Sequence, residues 1–347
     1  DKKYKKNFYI NNPNDYFKYN LKIKKIISIF TSIVQESKRL IILYIKTKNL
    51  THKKIILFCI LNLFRISTFK NNIVKFEFED LLKNISPSLV IITHEGHPYE
   101  RLFFNIAKKL NIISIGYVTG VFLPLQHGNN RDLKIAYNPD YISYQSNLLK
   151  SLSNNKIKTK KIVLGNQFVY EKYKNIKKTK ESFNVLVLPE GLFLEESFFI
   201  LQIINFAKLN NNIKYYIRLH PLSDFKSIFK KLGIPKIPTN IILSKNKFND
   251  DLNQCNFALY RGSTAIIHAV KNGLIPLYLN KPDEVSINPL FELRDEIIVI
   301  NNFKNIQDLY NNNNFYNSYK LNHNKIINYC HNYFDNSNIK PIIDILN

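Results

Sequence analysis

Three short polar clusters carry residue types that could act together on one substrate. Pro189-Glu190-Gly191 offers a carboxylate beside a residue with no side chain. His220-Pro221 offers an imidazole, and Arg261-Gly262-Ser263-Thr264 offers a guanidinium and two hydroxyls. An imidazole, hydroxyls and the free N–H groups of a starting helix can together neutralise a phosphate. A carboxylate beside them can move a proton or act as a nucleophile. Glu190 and His220 stand 30 positions apart (220 − 190), and His220 and Ser263 stand 43 apart (263 − 220). A fourth cluster in the first half, His94-Glu95-Gly96-His97-Pro98-Tyr99-Glu100-Arg101, is equally polar and contains a second His-Pro pair.

These clusters need strands and helices to hold them. Ile213 to Leu219, which includes Arg218, reads as an apolar strand ending at His220. Asn256 to Tyr260 reads as a strand that breaks at Gly262-Ser263-Thr264 and restarts as an Ala/Ile/Val-rich helix. Gly273 and the strand Ile275–Leu279 follow. Asn184–Leu188 is a strand leading through Glu190 into a helix over Leu192–Leu209. In the first half, Ser88–Thr93 (strand), the fourth cluster, Arg101–Leu110 (helix) and Ile112–Tyr117 (strand) repeat that order, and Tyr141–Tyr144 is a further strand. Strand–helix–strand units of this kind build parallel sheets, whose C-terminal edges bind ligands. Upstream, apolar residues from Leu21 to Val34 recur at helical steps with lysines between them, and a second helix is expected over Lys53–Phe64. Glu296–Ile300 reads as the last strand, with helices over Phe303–Tyr310 and Tyr316–Phe334. A polar, Lys/Asn-rich region between Ser153 and Ser182 divides two α/β halves, which suggests twin Rossmann-like domains with a cleft between them.

Composition bounds the rest. A chain of 347 residues with 45% hydrophobic and 13% aromatic residues can bury real cores, so the disordered class is excluded. The formal charge of +24 points to an anionic partner, or else to a compositional bias that enriches Lys, Asn and Ile together. The lysines are spread along the chain rather than gathered, so nucleic acid is not expected. Cys59, Cys255 and Cys330 form neither a metal spacing nor a disulfide framework, consistent with a reducing, cytoplasmic setting, and Cys255 reads as a core residue. The absence of Met suggests a piece of a longer chain, and no secretory signal is visible at its start. The longest apolar run, Ile55–Phe64, is too short to span a bilayer. The basic helix expected near Leu21–Lys48 fits peripheral contact with the anionic inner face of a membrane.

Taken together, Pro189-Glu190-Gly191, His220-Pro221 and Ser263-Thr264 resemble the acidic-Gly, HP and Ser-Ser/Thr motifs of the bacterial sialyltransferases and the capsule and lipopolysaccharide Kdo transferases. The resemblance covers roughly Asn184–Leu279, and the Glu95–Arg101 and Ile115-Gly116-Tyr117 segments look like the first domain of that broad group. It implies an α/β GT-B fold of two Rossmann-like domains facing across a cleft: 1–160 on the acceptor side, 161–315 for the donor, and 316–347 as a helix crossing back. It implies a CMP-activated donor, Kdo or sialic-acid-like, a cell-surface glycan or glycolipid acceptor, no cofactor and no metal. By the same resemblance His220 contacts or protonates the departing phosphate, and Ser263 and Thr264 bind it. Pro221, Arg218, Arg261 and Gly262 complete the donor site. Glu190 or Glu95 serves as base or nucleophile, and Glu95, His97 and Glu100 face the acceptor. The motif departs from many GT-B donor domains at Ile266-Ile267-His268, where a ribose-binding Glu would be expected.

Ordinary structural roles stay open for each residue: a helix-start carboxylate for Glu190 and Glu100, a strand-end backbone bond for His220, N-capping for Ser263-Thr264, and ion pairing for Arg218 and Arg261. Two rival readings stay open as well. One is a teichoic-acid-type glycerophosphotransferase with a cytidine-activated donor, although Tyr260-Arg261-Gly262 lacks the Asp-Tyr usual before its serines. The other is a non-catalytic basic protein that binds glycan or nucleic acid on a GT-B scaffold.

Overall fold

In the computed structural model the alternating apolar segments resolve into two parallel sheets. The structure describes residues 23–123, 128, 131, 133, 135–153, 157–166, 183–302, 304–312 and 315–347. Residues 1–20, the first two residues of the helix expected from Leu21, and much of the polar region expected between Ser153 and Ser182 lie outside the described residues. Two compact units make up the chain. One takes Asp1–Gly116 and Asp132–Tyr141; the other takes Tyr117–Arg131 and Ile142–Ile345.

Among the described residues the first unit begins with three helices, α1 (Ile23–Lys46), α2 (Leu50–Leu63) and α3 (Ile66–Ile85). Asn49 caps α2 by accepting from His52 N, and Ser86 ends α3 in the left-handed conformation. Only part of the α1 apolar stripe turns inward. Ile29 and Ile33 are buried with Ile73, whereas Ile23, Ile27, Phe30 and Val34 are exposed. Then come β1 (Leu89–Thr93), α4 (Pro98–Lys109) and β2 (Ile113–Tyr117). Pro98 in the first turn of α4 fixes φ where no N–H is needed. With β3 (Tyr141–Tyr144) and β4 (Lys160–Val163), these strands form a sheet of order β1-β2-β3-β4. The short helix α5 (Asn147–Leu152) follows β3, capped by Ser146.

The six-stranded sheet of the second unit holds the three motifs. Its strands are β5 (Asn184–Leu188), β6 (Lys214–Ile217), β7 (Ile241–Leu243), β8 (Phe257–Tyr260), β9 (Ile275–Leu279) and β10 (Ile298–Ile300). Their order is β10-β9-β8-β5-β6-β7, parallel throughout. The chain winds outward from β5 to β7, then crosses back to β8 and winds the other way, which is the doubly wound order with its switch point between β5 and β8. β5, β8 and β9 are buried at every residue, as strands covered on both faces must be. Helix α6 (Phe193–Leu209) buries Phe199, Ile200, Ile203 and Phe206, and α9 (Ala265–Lys271) is backed by the long helix α11 (Phe315–His331). Between them in sequence lie α7 (Phe225–Leu232), capped by Asp224 and ended by Gly233, α8 (Phe248–Gln254) and, after β10, α10 (Lys304–Asn311). Neither β7 nor α8 was expected from the sequence. Beyond α11 the chain returns to residues 122–166: Tyr333 Oη accepts from Phe122 N (3.1 Å), and Asp335 Oδ2 accepts from Asn147 N (2.9 Å). The helix α12 (Lys340–Leu346) ends the chain.

Candidate functional site

Strand register brings the three motifs of the second half together. β5 pairs Val187 with Ile217 of β6 on one side and with Leu259 of β8 on the other. Three residues further along each strand stand Glu190, His220 and Gly262. The 30-residue interval between Glu190 and His220 is thus the register offset of two neighbouring strands. Adjacent strands lie about 4.8 Å apart, so the three residues form one row across the C-terminal edge, with Glu190 at its centre.

The contacts within the row are close. Gly262 N donates to Glu190 Oε1 at 2.8 Å, joining the two strand ends across the switch point. A Cβ on Gly262 would stand 2.6 Å from that oxygen, and one on Gly191 would stand 2.7 Å from His220 Cγ. Both glycines are therefore places where only the absence of a side chain allows the approach. Burial raises the Glu190 pKa. The Gly262 N–H opposes that rise, Glu195 reinforces it, and Arg261 and Lys281 lower it. A carboxyl so placed is poised nearer neutral pH than a solvated one, as acid–base work requires. His220 is exposed, and its Nδ1 accepts from Leu222 N at 3.3 Å. In the neutral ring the hydrogen then sits on Nε2, where it can be donated to a ligand.

Ser263 and Thr264 lead into α9. Thr264 occupies the cap position, yet its side chain caps nothing, and among the described residues neither hydroxyl has a hydrogen-bond partner. They stand as donors beside a carboxylate that already holds the Gly262 N–H. Pro221 is exposed at the start of the turn after His220. Within α9, Ile266 and Ile267 are fully buried, and His268 stacks on Phe334 at 5.4 Å, so none of the three is placed to hold a ribose. Burial and Lys271 push the His268 pKa down to about 4.

The two arginines of the expected donor site are held by acids. Arg218 Nη1 donates to buried Asp251 at 2.8 Å and to Asn246 O, and its guanidinium lies over Phe248. Arg261 is 1% exposed; its Nη1 meets both oxygens of Glu195 (3.0 Å each) and Glu284 (2.8 Å). Lys281 bridges the same two carboxylates at 3.0 and 2.9 Å. This balanced cluster of two cations and two anions ties the turn after β8 to α6 and to the loop after β9. Sequence reasoning missed Glu195, Lys281 and Glu284. The one available signal was a pair of acids, Glu195-Glu196, opening a helix too apolar to leave them in water. Beside the cluster lies an open cavity of about 760 Å³ lined by Phe198, Gln202, Asn205, Lys281, Asp283 and Asn302 among others.

The first-half cluster is built around Glu100. Its buried carboxylate accepts from Thr93 Oγ1 (3.0 Å) and from the backbone N–H groups of Glu95, Gly96 and His97 (2.8–2.9 Å). These bonds wrap the loop after β1 onto the start of α4. Glu95 and His97 remain outward, with His97 Nε2 3.4 Å from Glu95 Oε2 and the His97 ring stacked on Tyr99. His94 is fully buried against Phe104, and neither ring nitrogen has a partner among the described residues. Glu100 Oε2 stands 4.0 Å from its Nδ1, but that oxygen already accepts three backbone N–H groups. Desolvation prevails, aided by Arg101, and lowers the His94 pKa to about 3, so the ring is neutral. Glu95, His97 and Glu100 belong to the first unit, and Glu190, His220 and Gly262 to the second.

No protein-family model matches the chain, and no curated protein matches its sequence. Solved structures do share its architecture. MurG of Acinetobacter baumannii superposes with a TM-score of 0.51 at 10% identity, over 80% of this chain and 78% of that one. The glycosyltransferase SnogD of Streptomyces nogalater gives 0.51 at 8% identity, over 80% and 77%. A complex of S. aureus MnaA with UDP is more distant, at 0.48 and 14% identity over 78% and 82%. At such identities the likeness concerns the fold, and the likeness to MurG and SnogD, with the two parallel α/β sheets, establishes that this chain has the GT-B fold.

Proposed function

We propose that the protein is a metal-independent, cofactor-free glycosyltransferase that moves a Kdo or sialic-acid-like sugar from a CMP-activated donor to a cell-surface glycan or glycolipid. The observation that carries this reading is the row Glu190, His220 and Gly262, with the Ser263 and Thr264 hydroxyls beside it, at the switch point of a GT-B sheet. In this reading the single phosphate of the donor lies against His220 Nε2–H and the two hydroxyls. As the sugar departs, charge grows on that phosphate, and these donors stabilise it. Glu190, with its raised pKa, is the base or nucleophile, and it releases the Gly262 N–H to the phosphate when the donor enters. Glu95 is the second candidate for that role. Arg218 and Arg261 support the site from behind. The protein works at an anionic inner membrane face, where lipid-linked acceptors are presented.

The test is release of CMP from CMP-sialic acid and from CMP-Kdo with a glycan acceptor present. Glu190→Gln should keep CMP binding and lose turnover on the order of 10²-fold, whereas His220→Ala should lose both. Near-wild-type turnover in Glu190→Gln, Glu95→Gln and Glu100→Gln alike would remove the chemistry from these residues.

A further inference from the structure

We propose that α2, Leu50–Leu63, lies in the plane of an anionic lipid bilayer with its apolar flank immersed and cations at both of its ends in the headgroups. This deepens the membrane-contact part of the reading above and rests on it, but it names a different element and a different force. Helix α2 is apolar nearly all round, yet in the described structure it buries only Ile56 fully. Ile55, Leu57, Phe58 and Leu61 are 47–62% exposed, and Phe64 just past its end is 68% exposed. An apolar surface of this kind, continuous along one helix, marks a binding face rather than scattered surface residues. The neighbouring helix α1 exposes apolar residues as well, among them Ile27, Phe30 and Val34 and, toward its end, Ile41, Ile42, Leu43 and Ile45, so the apolar surface extends beyond α2.

Charge identifies the occupant. Between Glu36 and Glu77 the chain has no Asp or Glu, while Lys46 and Lys48 precede α2, Lys53 and Lys54 lie within its first five residues, and Arg65 follows its end. Arg65 already lies over the Phe58 ring, 5.9 Å from its centroid. An apolar protein partner would not call for unbalanced cations at both ends, whereas anionic headgroups would. Length fixes the pose. Fourteen residues extend about 21 Å at ~1.5 Å each, short of the ~30 Å hydrocarbon core, so the helix can lie in the interface but cannot cross. No helix among the described residues is long and apolar enough to cross a membrane. Lysine and arginine stems at the two ends would lie along the apolar surface with their charges in the headgroups.

The chain contains no Trp, so a single introduced indole reports on one site. Phe58→Trp and, as a control on the exposed face of α11, Leu321→Trp would be mixed with vesicles of phosphatidylcholine and phosphatidylglycerol, with and without brominated acyl chains. Immersion predicts that Phe58→Trp shifts to the blue and is quenched by bromolipid at both 50 and 500 mM NaCl, whereas Leu321→Trp does neither. Phe58→Ser with Leu61→Ser should weaken vesicle binding at least about tenfold at high salt while leaving the thermal shift with CMP intact. Loss of all wild-type binding at high salt would overturn the proposal in favour of surface adsorption alone. An indole at position 58 already blue-shifted without lipid would also overturn it, with a concentration-dependent shift indicating a second copy and a constant one indicating cover from the same chain. Because nucleotide binding is read separately, a failure here is distinguishable from failure of the glycosyltransferase reading.

Discussion

Replacing Gly262 by Ala tests whether the Glu190–Gly262 contact organises the site. Gly262 does not adopt a positive φ, so its backbone accepts an L side chain. The difficulty is space: the three atoms nearest to the new Cβ are all from the Glu190 carboxyl, at 2.6, 2.7 and 2.9 Å. Those atoms are the far end of a flexible side chain, so the carboxyl can swing aside at little steric cost. Expelling it forfeits a charge-assisted bond from the Gly262 N–H, about 1.5–3 kcal/mol. That loss dominates, so about 1.5–3 kcal/mol is expected in total, or several degrees in Tm. Glu190→Ala removes the obstructing atoms. In that background Gly262→Ala should cost under about 0.5 kcal/mol, which leaves a coupling energy of at least ~1 kcal/mol in the double-mutant cycle. Scanning calorimetry of the four proteins reads the cycle. An equal cost of Gly262→Ala in both backgrounds would refute the contact as its cause.

Two further predictions concern protons. The native Glu190 pKa is raised above the ordinary carboxylate value, so its contribution to stability is fully present below that value and is lost as pH rises through the native one. Glu190→Gln should therefore be more stable than wild type at pH 7–8, and the gap should close toward pH 4 in parallel melting curves. His94 is the opposite case: its native pKa is near 3, far below 6.5, so the unfolded chain takes up a proton first as pH falls. Stability should decline from pH 6.5 downward, and His94→Leu, which removes two unpartnered buried nitrogens, should flatten that decline between pH 6.5 and 4. An unchanged slope in the variant would show that His94 does not titrate this way.

The strands that carry chemistry were legible because burial on both faces writes them as unbroken apolar runs. Asn184–Leu188 and Tyr141–Tyr144 were expected at the bounds observed, and most others within two residues. β7 is a three-residue edge strand, and α8 is rich in Asn and Asp, so neither has the length or periodicity that betrays an element. At the site, the motifs and their order were visible. The reason for their spacing was not, because register is a property of strand pairing rather than of either strand. The partners of Arg261 were equally hidden: Glu195 and Glu284 lie 66 and 23 positions away, and only the fold brings them to one guanidinium. On α1 the helical spacing of the apolar residues was visible, but it serves two directions. The inward residues Ile29 and Ile33 and the outward residues Ile27, Phe30 and Val34 interleave on the same helix, and periodicity alone does not separate them.

On the reading proposed above, the row at the switch point binds a nucleoside monophosphate. Thermal titration with CMP, UDP and GDP in the presence of EDTA tests it most directly, because a ligand at 100 times its Kd adds about 2.7 kcal/mol to the folded state. CMP should raise Tm without metal, UDP and GDP should raise it less, and the CMP shift should be lost in His220→Ala. Stabilisation by UDP equal to or greater than that by CMP, or a CMP shift that survives His220→Ala unchanged, would contradict it.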